Sequence, residues 1–207
     1  STSSVFHIPH DIGQELNSTW GYINVQEGGF LPALNEPSGF IADTMLDSGS
    51  PNTNYEDDSI VSIGRSSSTT STSGRSSSIF SIDISKLPLG NTFEIMSASL
   101  FVNYASNSYG EVWVSDSTLL TNFDSDANWN NATNTTNWNS PGAYHSSDAS
   151  IPNTGAILFQ TSGFIGGFWD LTAPIQQAQA QGTNTIHIIL QAEENDTNVA
   201  GRLDFFS

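Results

Sequence analysis

Cysteine is absent from all 207 residues, which excludes disulfides, thiolate metal sites and cysteine nucleophiles together. The redox compartment stays open. Basic residues are nearly absent too: four Lys and Arg stand against 21 Asp and Glu, a formal charge of −17. Such a chain repels phosphate backbones and anionic membrane surfaces, so nucleic acid is not an expected partner. Long apolar runs are missing as well. Ile186-His187-Ile188-Ile189-Leu190 is among the longest and falls far short of the roughly 20 residues that cross a bilayer. No basic leader precedes an apolar stretch at the N-terminus, so a mature soluble chain without membrane insertion is expected.

Catalytic signatures are equally scarce. There is no Gly-x-Ser-x-Gly elbow, Walker loop or dinucleotide fingerprint. His7, His10, His145 and His187 are scattered without metal-ligand spacing, and none of the 21 acids stands out as a glycosidase pair. No catalysis is expected.

What the chain does contain is a 36% hydrophobic, 11% aromatic complement, enough to bury the core of one domain. Its polar fraction is mostly Ser, Thr and Asn, the composition of a secreted surface, and four Asn-x-Ser/Thr sequons fall at Asn17, Asn131, Asn134 and Asn195. The first 38 or so residues are expected to form an extension. Val5-Phe6-His7-Ile8, closed by Pro9, and Gly21-Tyr22-Ile23-Asn24-Val25 are strand-like but have no core of their own. From Gly39 onward short β-type runs recur at the spacing of an all-β, jelly-roll-like antiparallel sandwich. Within Ile79 to Ile84, apolar and polar residues alternate with period two, which predicts one buried face. The Ser/Thr run from Ser66 to Gly74 has no apolar group and reads as an exposed tip. One helix is predicted from about Ala173 to Gln181, N-capped by Thr172 and stopped by Gly182.

Asp124-Ser125-Asp126-Ala127-Asn128 starts with the oxygen spacing of a calcium loop. It then fails, with Trp129 where such a loop needs Gly and Thr135 where a bidentate Glu would close the cage. Trp129 is therefore expected in the core. An oxygen-ligated site assembled from separate strands suits the acidic composition better, with Asp43, Asp47, Asp57, Asp58 and Asp170 at strand ends or turns as its pool. Solvated surface carboxylates are the competing reading. Aromatic faces can also stack on sugar rings; Trp113 and Trp169 sit mid-strand and read as core, leaving Trp138, Tyr144 and Tyr109 in loops as carbohydrate-binding candidates.

In order along the chain, Ala42-Asp43-Thr44-Met45-Leu46, Pro51-Asn52-Thr53-Asn54-Tyr55, Ile60-Val61-Ser62-Ile63-Gly64 and Phe80 to Gly90 are followed by Ser97-Ala98-Ser99-Leu100, Asn128-Trp129-Asn130-Asn131, Trp169-Asp170-Leu171-Thr172 and Phe205-Phe206-Ser207. From about residue 40 to 207 this series resembles the DNRLRE-type domains, secreted β-sandwich modules similar to carbohydrate-binding modules. The resemblance implies a structural cation, calcium, with Asp43, Asp170 and Asp58 as ligands. Two departures count against an anionic polysaccharide as ligand. Serines stand where the family often has Arg, and Arg65, Arg75, Lys86 and Arg202 are the whole cationic supply.

Two functions fit the sequence. One is a self-assembling subunit of an extracellular or cell-surface fibre, whose partners are copies of itself. The other is a carbohydrate-binding module whose partner is a polysaccharide. In the first, Val5, Phe6 and Ile8 form an apolar segment too short to fold alone, whose refuge is a sheet edge of a neighbour or of its own chain.

Overall fold

A computed structural model of the chain describes residues 3–9, 20–27, 41–56, 58–65, 74–85, 93–103, 111–149, 153–160, 166–192 and 201–206. In chain order the strands are β1 (Ser3–Pro9), β2 (Trp20–Glu27), β3 (Ile41–Asp47), β4 (Ile60–Arg65), β5 (Arg75–Asp83) and β6 (Phe93–Asn103), then β7 (Glu111–Thr118), β8 (Asn153–Gln160), β9 (Gly166–Asp170), β10 (Thr185–Ala192) and β11 (Arg202–Phe206). Among the described residues one α-helix, α1 (Thr172–Gln181), and one short 3-10 turn, Pro141–Ala143, interrupt them. The fold is all-β with one short helix, as the period-two alternation predicts. Each run read as a strand in the sequence overlaps one of these elements; the Ser66 to Ser73 stretch lies outside the described residues.

The chain divides into two compact units. The first comprises Ser1–Ala42, Ser81–Asn103 and Gly166–Ile186; the second comprises Asp43–Phe80, Tyr104–Ile165 and His187–Ser207. In the first, strands pair in the order β1-β2-β6-β9. The N-terminal stretch thus supplies two members of a four-stranded sheet. β1 folds back on β2 along its whole length, from Ser3 opposite Gln26 to Pro9 opposite Trp20. β2 in turn follows β6, with a bulge between Asn24 and Val25.

Helix α1 packs on β6. Leu171, Ile175 and Ala178 are buried, the last two one turn apart on a single face. The N-terminus differs from the expected cap. Thr172 is already the first helical residue, and its backbone N–H and hydroxyl both donate to the Asp170 carboxylate. An acidic acceptor there satisfies a free helical donor and favours the helix dipole. Thr172 Oγ1 also accepts from the Ala98 N–H at 3.0 Å, tying the helix to β6. Gly182 ends the helix in the left-handed region at φ 69°, its N–H bonded to the Ala178 and Gln179 carbonyls, as its sequence position predicts.

The other sheet has seven strands, ordered β11-β4-β5-β10-β7-β8, with β3 also paired to β5. β4, β7, β8 and β11 lie wholly in the second unit. The alternation predicted for Ile79 to Ile84 appears from Phe80 onward, with Phe80, Ile82 and Ile84 buried and Ser81 and Asp83 partly exposed, whereas Ile79, on the polar side of the pattern, is buried as well. Arg75 to Phe80 are buried on both faces, and exposure begins to alternate at Ser81. β5 is an interior strand, and its serines can be buried because local acceptors exist: Ser78 Oγ donates to the Ser62 carbonyl at 3.1 Å. Gly64 in β4 is at φ 135°, where an added Cβ would lie 2.1 Å from the Gly201 carbonyl oxygen, so the close approach of β11 demands glycine.

Candidate functional site

Two of the sequence's loop aromatics, Trp138 and Tyr144, belong to the second unit, at an apolar cluster of Leu46, Ile79, Leu119, Trp129, Trp138 and Ile189. Trp138, expected to be exposed for stacking on a sugar, is instead 4% exposed. Its indole N–H donates to the Asn128 carbonyl at 2.8 Å, which lets a polar-tipped ring be buried inside a loop of mostly polar sequence. Trp129 is buried as expected, and packs on Gly142, whose φ is 75° and where a Cβ would stand 2.6 Å from the indole. Tyr144 is half-buried. It packs against the same cluster, its ring 6.0 Å from that of Trp129, with the Arg75 guanidinium 5.5 Å over its face. Tyr109 lies outside the described residues. Where side-chain surroundings are described, no aromatic is exposed, and the one exposed large apolar residue is Leu120.

The calcium-like loop uses its oxygens on itself. Asp124 Oδ1 accepts from the Asp126 N–H at 3.0 Å, and Asn128 Oδ1 accepts from the N–H groups of Asn130 and Asn131. These are Asx turns, in which a side chain substitutes for a backbone acceptor. The loop is also stitched to the 51–56 segment: Asn54 donates to the Ala127 carbonyl at 2.8 Å, and Asn130 donates to the Asn52 side chain at 2.8 Å.

The carboxylates named as calcium ligands are dispersed in their roles. Asp43 is buried, Asp58 is exposed, and Asp170 is exposed and occupied at the start of α1. Among the described residues, no three His, Asp or Glu side chains come together as a metal-binding group. Asp57 lies outside them.

A different carboxylate, which no motif singles out, accepts four hydrogen bonds. Asp148 is fully buried. Its Oδ1 accepts from the Asn139 N–H at 3.1 Å, the Asn139 amide at 2.8 Å and the Thr121 hydroxyl at 3.1 Å, while Oδ2 accepts from the Ser140 N–H at 3.0 Å. Burial is the largest influence on its ionisation and opposes it. The four donors from Asn139, Ser140 and Thr121 together outweigh burial and hold the carboxyl below its ordinary value. It buckles loop 119–149. His187, half-buried against Phe123 at 5.0 Å, is pushed below its ordinary value by desolvation.

The scarce cations are largely enclosed. Arg65 and Arg75 face each other as register partners on β4 and β5 and are 4% and 8% exposed. Arg202 pairs with the buried Asp204, which also accepts from the Ser62 hydroxyl. Arg65 and Arg75 present no open guanidinium surface to a polymeric anion, Arg202 is partly exposed, and Lys86 lies outside the described residues. Of the sequons, Asn134 is exposed in the Thr133–Thr136 turn, Asn131 is half-buried in a bridge to Asn137, and Asn17 and Asn195 lie outside the described residues.

The remaining feature of functional interest is the sheet edges. Among the described residues β1 and β9 have a partner on one side only, as do β8, β11 and β3. On its other side each such strand has no described strand beside it, and an edge of that kind can accept another strand. Val5, Phe6 and Ile8, the connector expected from the sequence, are on β1. No helix among the described residues is long and apolar enough to cross a membrane. No protein-family model and no curated protein sequence matches this chain, so its functional reading rests on these edges and on the residues themselves.

Proposed function

We propose that the chain is a non-catalytic, secreted β-protein that assembles with copies of itself into a fibre at the cell surface, with the N-terminal strand as the connecting element. The observation that carries this reading is the position of β1: fully paired to β2 on one side, outermost in its sheet among the described residues on the other, and joined to β2 by the ten residues 10–19. A short strand held only at an edge is suited to exchange or to pairing between copies. The same backbone ladder forms whichever chain supplies the strand, and repetition with a non-closing rotation gives an open filament. The Ser-, Thr- and Asn-rich composition supports the extracellular setting.

Binding of a neutral polysaccharide is the rival function. The burial of Trp138 and the partial burial of Tyr144 weigh against it, since a stacking platform must be open on one face. Electron microscopy of untagged secreted protein decides between them. Filaments are expected; monodisperse monomers that are retarded in polysaccharide affinity gels would reverse the assignment.

A further inference from the structure

With a formal charge of −17, two copies of this chain repel one another over most of their surface, and association is cheapest where the contacting segments carry no charge. The single-sided strands differ sharply in this respect. β3 contains Asp43 and Asp47, β9 ends in Asp170, and β11 contains Arg202 and Asp204. Only β1, Ser-Ser-Val-Phe-His-Ile-Pro, and β8, Asn-Thr-Gly-Ala-Ile-Leu-Phe-Gln, lack Asp, Glu, Lys and Arg. Charged residues on an edge are a common guard against strand addition, and these two strands go without that guard. They also match in length, seven residues against eight.

We infer that β8 is the acceptor edge of the assembly, pairing with the outer edge of β1 from a second copy. This rests on the fibre reading above and adds to it the docking partner of β1. Because β1 and β8 are different surfaces, the contact is heterologous, and where the rotation between copies does not close, the growing polymer always presents one unused β1 and one unused β8 to the next copy. Within each copy β1 keeps its ladder with β2, and β8 its ladder with β7 from Glu111 opposite Gln160 to Asp116 opposite Asn153. No exchange of strands is required.

The cysteine-free background makes the contact testable by cross-linking. Phe6 is the midpoint of β1, and Ala156 and Ile157 flank the midpoint of β8, so a full-overlap register brings them near one another whichever way the strands run. Both β8 positions are needed because successive side chains point to opposite faces. Phe6→Cys protein mixed with Ala156→Cys or Ile157→Cys protein should give oxidised heterodimers within filaments at one of the two positions. Hydrogen exchange on the unmodified protein supplies a reading free of substitutions: β8 amides should become protected on assembly. Filaments in which neither β8 position cross-links and β8 amides exchange as in the monomer would overturn the edge assignment and leave the fibre reading standing. An intermolecular cross-link between Phe6→Cys and Ile23→Cys, register partners of β1 and β2, would show strand exchange instead and also overturn it. A protein that never assembles would overturn both.

Discussion

At the residue scale, Asp148 and Gly142 are the positions on which loop 119–149 depends most. Replacing Asp148 by Ala strands several donors inside the loop and should cost about 2–4 kcal/mol, whereas Asn, which retains one acceptor oxygen, should cost about 1–2 kcal/mol. Thermal or urea unfolding of the two variants measures this. The pH dependence follows from linkage. The folded carboxyl titrates below its unfolded value of 3.8, so its stabilisation is complete above 3.8 and is lost as pH falls through the lower folded value. The Asn variant should show a shallower loss of stability in that acid window than the parent. His187 has the opposite charge type but the same sense. Its neutral form is favoured in the fold, so stability declines as pH drops below 6.5, where the unfolded chain takes up the proton first. At Gly142 an Ala would have to adopt φ 75° with its methyl 2.6 Å from Trp129, an expected loss of about 2–4 kcal/mol in unfolding experiments. None of this is legible locally. Asp148 follows two serines in a polar loop like any solvated acid, and Trp138 is flanked by Asn137 and Asn139; their burial is set by partners such as Thr121 and Asn128, found only once the loop has closed.

At the scale of elements the sequence is a better guide, because strand identity is carried by local alternation and turn residues. α1 begins one residue earlier than expected and ends at Gln181 as expected. The departures come where tertiary position overrides pattern. The N-terminal half of β5 is buried on both faces despite its serines, since an interior strand flanked by β4, β10 and β3 has little exposed surface to give. The pairing of β1 is not readable from its residues either: an apolar segment announces that it needs an edge but not which one, and fold-back on β2 satisfies the same chemistry as donation to a neighbour. Deleting Ser1 to His10 removes β1 while leaving the β2-β6-β9 ladders intact. The truncated protein should fold, with an unfolding midpoint near that of the parent, yet form no filaments in electron microscopy. Assembly as ready as that of the intact chain would show that β1 is not the connector.

For the whole molecule the governing quantity is the imbalance of 21 acids against four bases, made more one-sided by the enclosure of Arg65 and Arg75 and the pairing of Arg202 with Asp204. Copies approaching at low ionic strength meet a repulsion that reaches about 30 Å at 0.01 M salt but only about 3 Å at 1 M. The β1 and β8 edges carry no charge of their own, so salt weakens the repulsion between the flanking surfaces without breaking an ion pair at the contact. Assembly should therefore become more favourable as monovalent salt rises. Sedimentation of polymer from monomer across a salt series measures the critical concentration directly, and a steady decrease is expected. An interface built on complementary charges would behave in the reverse way, its critical concentration climbing with salt. That sign separates edge pairing of neutral strands from electrostatic docking, whatever the symmetry of the filament.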